Sequence, residues 1–312
     1  MTAAELLKPL IGTINLDRLR IGPPRRFIFF CGGKIDSTSR KSPSLRDYLT
    51  RQLTGTKSVD DAYFVYAESA TQLYRDSKYK DLIAFEEDIA QISDIVLIIG
   101  ESAGSLTELG AFSMNAAIAP RLKIILQDKH YSAESFIRNG PIRHMEDSYD
   151  DSVSSYPWRI STKGQSIIKS SAAPLVMSIR QELTDRLGKV AAKETFQHNN
   201  KRHVMILIFW IVQRLRAAIL KEITDTLVHF GVIEPPENIR KYLYCMLVAE
   251  WIGEKKYGHP IYYYPRIDRD PFEYAFIHGA TNDALRFKSD IASEISKSKI
   301  TRPKPVLNLA GS

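Results

Sequence analysis

Glu108 stands three residues after Ser105 in the stretch ESAGSLTELGAF, directly behind the apolar run DIVLIIG. A carboxylate at that spacing has two uses. Serine at N-cap with glutamate three residues on closes the first turn of a helix. The same carboxylate, seated where a helix begins above a strand end, can act as a nucleophile, because the positive end of the helix dipole favours its charged form. The local pattern allows both, and two features favour chemistry. The helix start lies over a strand end, where its N–H groups face the expected pocket. Gly110 sits inside the first turns, where it costs about 1 kcal/mol relative to alanine and suggests close packing. A second carboxylate, Glu86 in DLIAFEEDIAQIS, lies on the stripe formed by Leu82, Phe85, Ile89 and Ile92 at helical spacing. Glu87 and Asp88 diverge from that stripe towards solvent.

These residues need a scaffold, and the first half of the chain supplies one. RFIFFCGG (26–33), AYFVYAE (62–68), DIVLIIG (94–100) and LKIILQD (122–128) are continuous apolar runs separated by helical patterns. A fifth short strand is expected near 153–160. Strands of that kind form a parallel sheet covered on both faces, an α/β fold. Ser44 opens the helix SLRDYLTRQL with Asp47 as its capping partner, and a helix over 175–189 completes the domain. Ligands of such sheets bind beyond the carboxyl ends of the strands. Three ends are legible: Cys31-Gly32-Gly33, the end at Glu68, and Gly100-Glu101-Ser102. Paired glycines offer N–H groups to an anion, although a tight turn needs them equally.

The domain limits follow from composition: 1–190 for the sheet domain, a polar linker at 191–202, a mainly α domain at 203–300 and a mobile tail at 301–312. The second domain holds three helical patterns and then GEKKYGHPIYYYPRI, two extended pieces. That is the order of a winged helix-turn-helix. From Gln197 onward there are 17 Lys/Arg against 12 Asp/Glu, so much of the net charge of +7 lies there. This permits a nucleic-acid partner. Arg240, Lys241, Lys255 and Lys256, with Tyr257 and Tyr262 to Tyr264, are its candidate surface.

Other classes are disfavoured. The longest apolar stretch, VMILIFWIV, is about half of a membrane span, and the N-terminus does not read as a secretory signal. The seven histidines stand apart, so no metal is assigned. Two distant cysteines suit a reduced cytoplasmic setting. GGKIDS has neither phosphate-loop nor dinucleotide spacing, and no cofactor is expected.

Gly104-Ser105-Leu-Thr-Glu108-Leu-Gly110 at a strand-to-helix junction resembles the signature of nucleoside 2-deoxyribosyltransferases and related N-glycosidases. The longer string ESAGSLTELGAFS, with FIFFCGG upstream and FIRNGPIRHME downstream, is similar to effector proteins encoded beside bacterial retrons. The resemblance implies a Rossmann-like deoxyribosyltransferase-like domain followed by a winged helix. It implies Glu108 as nucleophile on the anomeric carbon, with Gly104 and Ser105 shaping the turn beneath it. Gly32 and Gly33 would line the sugar or phosphate side, and Glu86 would act as a second carboxylate; Cys31, Glu68, Glu101 and Ser102 join the expected substrate site by their place at the strand ends. The resemblance further implies a nucleotide or NAD as substrate. The toxic effector would be restrained by a reverse transcriptase carrying its RNA–DNA product (msDNA), with an oligomer left open. Ala103 departs from the family's acid-Ser-Gly-Thr, which points to hydrolysis rather than transfer between free bases. The competing expectation is a nucleotide-sensing DNA-binding regulator, in which Glu108 is only a cap.

Overall fold

Strands of β-branched and aromatic residues that are apolar on both faces can only be satisfied by layers above and below them. The computed structural model, which describes residues 2–53, 59, 61–68, 79–161, 166–280, 283–298 and 300–311, shows this arrangement. The chain divides into two compact units: Arg26–Gln72 with Ile89–Val190, and Met1–Arg25 with Leu73–Asp88 and Ala191–Ser312.

The first unit is built on five parallel strands: β1 (Phe27–Cys31), β2 (Tyr63–Tyr66), β3 (Ile95–Gly100), β4 (Leu122–Gln127) and β5 (Val153–Tyr156). Every residue of β1, β3 and β4 is buried. Their order across the sheet is β2-β1-β3-β4-β5. Side chains alternate between faces. Ile28, Phe30, Ile95, Leu97 and Ile99 share one core with Leu45 and Leu49 of α1 (Leu45–Leu53) and with Ile179, Leu183 and Leu187 of α3 (Leu175–Lys189). Each such side chain contributes roughly 1.5–3 kcal/mol by leaving water. Helix α2 (Ala103–Ser113) packs on β3 and β4. The helical expectation between Glu68 and Asp81 falls largely on residues 69–78, outside the described residues.

In the second unit α4 (Lys201–Leu215) takes up the apolar run Val204–Val212, which is buried throughout. A helix apolar on all sides belongs in a core, and no helix of the described residues is long and apolar enough to cross a membrane. Asn200 caps α4, accepting from the N–H groups of Arg202 (3.0 Å) and His203 (3.4 Å). Asn200→Ala is expected to lower stability by about 1 kcal/mol in chemical denaturation, since only the cap is lost. Next come β6 (Ala218–Ile219), α5 (Leu220–Leu227), α6 (Pro236–Val248) and a hairpin of β7 (Ile252–Lys256) and β8 (Ile261–Pro265). β8 pairs with both β6 and β7.

Two expectations about the chain ends change. Met1–Arg25, assigned by sequence to the sheet domain, groups with the second unit. The reason is a ladder in which Arg20–Ile21 pairs with Glu194–Thr195, inside the expected linker, and with Phe272–Glu273. The tail expected to be mobile is docked instead. Val306, in the helix Lys304–Leu307, is fully buried, and Arg302 Nη1 lies 2.7 Å from Glu222 Oε2.

Candidate active site

The strand order reverses direction between β1 and β3, because the chain leaves β1 towards β2 on one side and returns to β3 on the other. At such a switch point the connections diverge and leave a crevice beyond the carboxyl ends. Cys31-Gly32-Gly33 and Gly100-Glu101-Ser102 end these two strands, so the sequence candidates meet where the topology opens the sheet.

Helix α2 starts earlier than its sequence suggests. Ser102, not Ser105, is the N-cap: its Oγ accepts from Ser105 N at 3.1 Å, and Ser105 Oγ accepts from Ser102 N at 3.1 Å. These two serines form the whole capping box, which leaves Glu108 in the sixth helical position with no capping duty. Ser105 is buried, Ser102 Oγ also donates to Gly32 O (3.3 Å), and Gly104 is exposed. The close packing expected at Gly110 is absent, since a Cβ there would meet nothing within 4 Å.

Glu108 is half-buried, and its Oε2 is buried without a hydrogen-bond partner. Burial pushes its carboxyl above the ordinary range. The Cys31 thiol hydrogen bond and the Arg46 charge pull down against this, and the Glu68 charge adds to the rise. The expected dominance of the helix dipole is therefore corrected: removal from water outweighs the charges that favour ionisation.

Glu101 has a different task from the substrate contact implied for it. Its Oε1 accepts from Gly33 N (3.2 Å) and Arg46 N (3.0 Å), and its Oε2 accepts from Leu45 N (2.8 Å). One carboxylate thus closes the N-terminus of α1 and ties down the glycine turn. Burial raises its carboxyl above the ordinary range despite these three donors. Ser44 Oγ takes Asp47 N (2.9 Å) as expected, but Asp47 serves Asp36 N and Arg51 instead of returning to Ser44. Gly32 and Gly33 are glycine for space. A Cβ on Gly32 would lie 2.8 Å from Arg46 Cδ, and one on Gly33 would lie 2.7 Å from Ser44 Cβ. Gly33 N–H already has an acceptor, so it is not free for an anion.

Arg46 is the residue that sequence reasoning missed. It is 1% exposed and forms a fork-to-fork pair with Glu68, with both N···O distances 2.6 Å. A cation in the first turn of a helix opposes the dipole, and that local conflict was the available signal.

Glu86 is buried in the helix Leu82–Ile92, in the part of that helix that groups with the second unit. Asp88, expected in solvent, is buried, accepting from Tyr79 OH at 2.8 Å and pairing with Lys201 at 3.0 Å. Arg240, Lys255 and Lys256 are exposed, whereas Lys241 is half-buried over the Tyr79 ring. Tyr263 is buried rather than on the surface. Two cavities among the described residues, about 670 and 520 Å³, are lined around Lys123 and Glu182 and around Tyr131 and Arg138, and neither includes Glu108.

Together these features define an α/β protein with a half-buried carboxylate at a sheet switch point and a separate unit of helices and a hairpin. The chain belongs to the retron effector family described as "STM3845 retron effector protein", whose model matches residues 42–255. It is similar to two Escherichia coli proteins. The "Retron Ec86 putative ribosyltransferase/DNA-binding protein" is 34% identical over 116 residues, 37% of this chain and 36% of that one. The "Retron Ec73 putative ribosyltransferase/DNA-binding protein" is 30% identical over 124 residues, 39% and 38% respectively. The matched region thus spans under two fifths of either relative's length.

Proposed function

We propose that this retron effector breaks the N-glycosidic bond of a nucleotide or NAD through Glu108. The carboxylate attacks the anomeric carbon as the C–N electron pair leaves with the base. A glycosyl ester forms, and water then hydrolyses it, regenerating the carboxylate. The observation that carries this reading is the buried, unpartnered Oε2 of Glu108 at the switch point. A buried polar atom without a partner costs roughly 1–3 kcal/mol, a cost understandable where the missing partner is a substrate. The relatives' names, which include "ribosyltransferase", support the reaction class. The regulator reading needed Glu108 as a cap, and Ser102 and Ser105 fill that role.

In this reading the second unit is a winged helix-turn-helix, with α5 and α6 as the helix pair and the β7–β8 hairpin as the wing. It holds the reverse transcriptase and its RNA–DNA product, which restrain the toxic activity in the cytoplasm. "DNA-binding" in both relatives' names and the exposed Arg240, Lys255 and Lys256 support it. Lys255→Ala and Lys256→Ala are each expected to reduce the slope of log affinity against log salt by about 1, measured with the RNA–DNA product. Incubating the full chain with deoxynucleotides, ribonucleotides and NAD, and identifying released base by chromatography, tests the catalytic half. No base from any of them contradicts it.

A further inference from the structure

The larger of the two cavities among the described residues, about 670 Å³, opens at the amino ends of β4 and β5. This is the opposite edge of the sheet from Cys31 and Glu101. Lys123 and Ser154, each second in its strand, line it from the sheet. Glu182, Asp185, Arg186 and Lys189 line it from α3, and their spacing puts all four on one face of that helix.

The carboxylates of this cavity are already engaged. Glu182 accepts from Lys123 Nζ (2.8 Å), Ser154 Oγ (2.9 Å) and Tyr156 OH. Asp151 pairs with Lys189 at 2.5 Å, and the exposed Asp185 accepts from Gln181 at 2.8 Å. Lys123 is engaged too, because its ammonium also donates to Asp151 O (3.0 Å) and Ser154 Oγ (2.8 Å). Arg186 differs from all of these. It is half-buried, and among the described residues its guanidinium meets only backbone carbonyls: Pro120 O at 2.9 Å, and Asp150 O and Asp151 O at 3.5 Å. The two longer contacts are weak hydrogen bonds. Burial pushes the guanidinium below its ordinary range, and the Asp151 charge opposes this. A half-buried cation that lines a cavity without a counter-charge suits an anion. Gly188 supplies space beside it. Glycine weakens a helix relative to alanine, yet a Cβ at Gly188 would meet nothing within 4 Å. No protein neighbour requires the glycine, whereas an occupant of the cavity it lines would.

We propose that this cavity binds a sugar phosphate, with the Arg186 guanidinium on the phosphate. A guanidinium offers two parallel N–H groups to two phosphate oxygens. Lys189, with 65% of its side chain in solvent, adds a second positive charge at the rim. Asp151 and Asp185 each keep an oxygen able to accept from sugar hydroxyls. The volume lies in the range of small-molecule sites, roughly 300–1,000 Å³, well above what a free phosphate fills. The proposal is independent of Glu108, whose site lies at the other edge of the sheet.

Hydrogen exchange of the full chain, read by peptide mass spectrometry, tests it with ribose 5-phosphate as the probe. That compound has no base, so the proposed glycosidase reaction cannot consume it. Protection is expected in peptides covering 150–154 and 182–189. Ribose without phosphate should give none, and inorganic phosphate should bind more weakly. Gly188→Leu fills the cavity, leaves every charge in place and favours the helix, so it should fold and lose the protection. Arg186→Met should weaken binding by about tenfold or more, and Lys189→Met by about threefold. Protection that is absent in the parent, unchanged in Gly188→Leu or produced equally by ribose overturns the proposal. Equal affinity for inorganic phosphate and ribose 5-phosphate would overturn the assigned ligand class, since no part of the site would then read the sugar.

Discussion

Glu108→Gln is expected to reduce base release by about 10³-fold or more, because no other carboxylate described beside it is free to take over bond formation. The same variant is expected to unfold at an equal or higher denaturant midpoint at neutral pH. Burial raises the Glu108 carboxyl in the folded chain above its ordinary value. A raised value means that the folded state holds the proton more tightly than the unfolded state. The associated stability is therefore present at low pH and is lost as pH rises through the raised value. Glutamine carries no charge to desolvate and escapes that loss. Activity moves the other way with pH in the parent, falling as acid protonates the nucleophile. A structural residue would lose stability when replaced, so activity and stability moving apart is the signature of a functional one.

Glu101→Ala is expected to behave in the opposite manner. The substitution leaves the N–H groups of Gly33, Leu45 and Arg46 without their acceptor, two of them on residues that are at most 1% exposed. Each buried donor left unpaired costs roughly 1–3 kcal/mol, and water at the helix end recovers part of this. A total loss of about 3 kcal/mol is expected in urea denaturation, with the midpoint falling and the slope unchanged. Catalysis should fall too, because the glycine turn and Arg46 both lose their tether. Unchanged stability in Glu101→Ala would show that the carboxylate is not the clamp the hydrogen bonds describe.

The sheet was legible from the sequence because its signal is local. FIFFC, IVLIIG and LKIILQ are apolar without interruption, which few structures other than a covered parallel strand can satisfy. Helix α3 was legible for the same reason. Glu108 is legible from its place after a strand, but it is not the cap that its spacing from Ser105 suggests. Ser102-Ala-Gly-Ser105 closes the helix one turn earlier, and a serine in the third position does the work usually given to glutamate. Arg46, Glu68 and Glu101 could not be assembled from spacing, because they come from α1, the end of β2 and the end of β3. Their association depends on the strand order. Asp88 misled for a related reason. Helical periodicity put it towards solvent, whereas Tyr79 and Lys201, distant in sequence from one another, bury it. The grouping of the first 25 residues with the C-terminal unit rests on two-residue strands, too short to leave a periodic pattern.

The most direct test of the catalytic claim is to quench the protein during turnover and map the bound sugar by peptide mass spectrometry. The account predicts a glycosyl ester on the peptide containing Glu108 and none in Glu108→Gln. A sugar bonded to a different residue, or an adduct that persists in the glutamine variant, would contradict it.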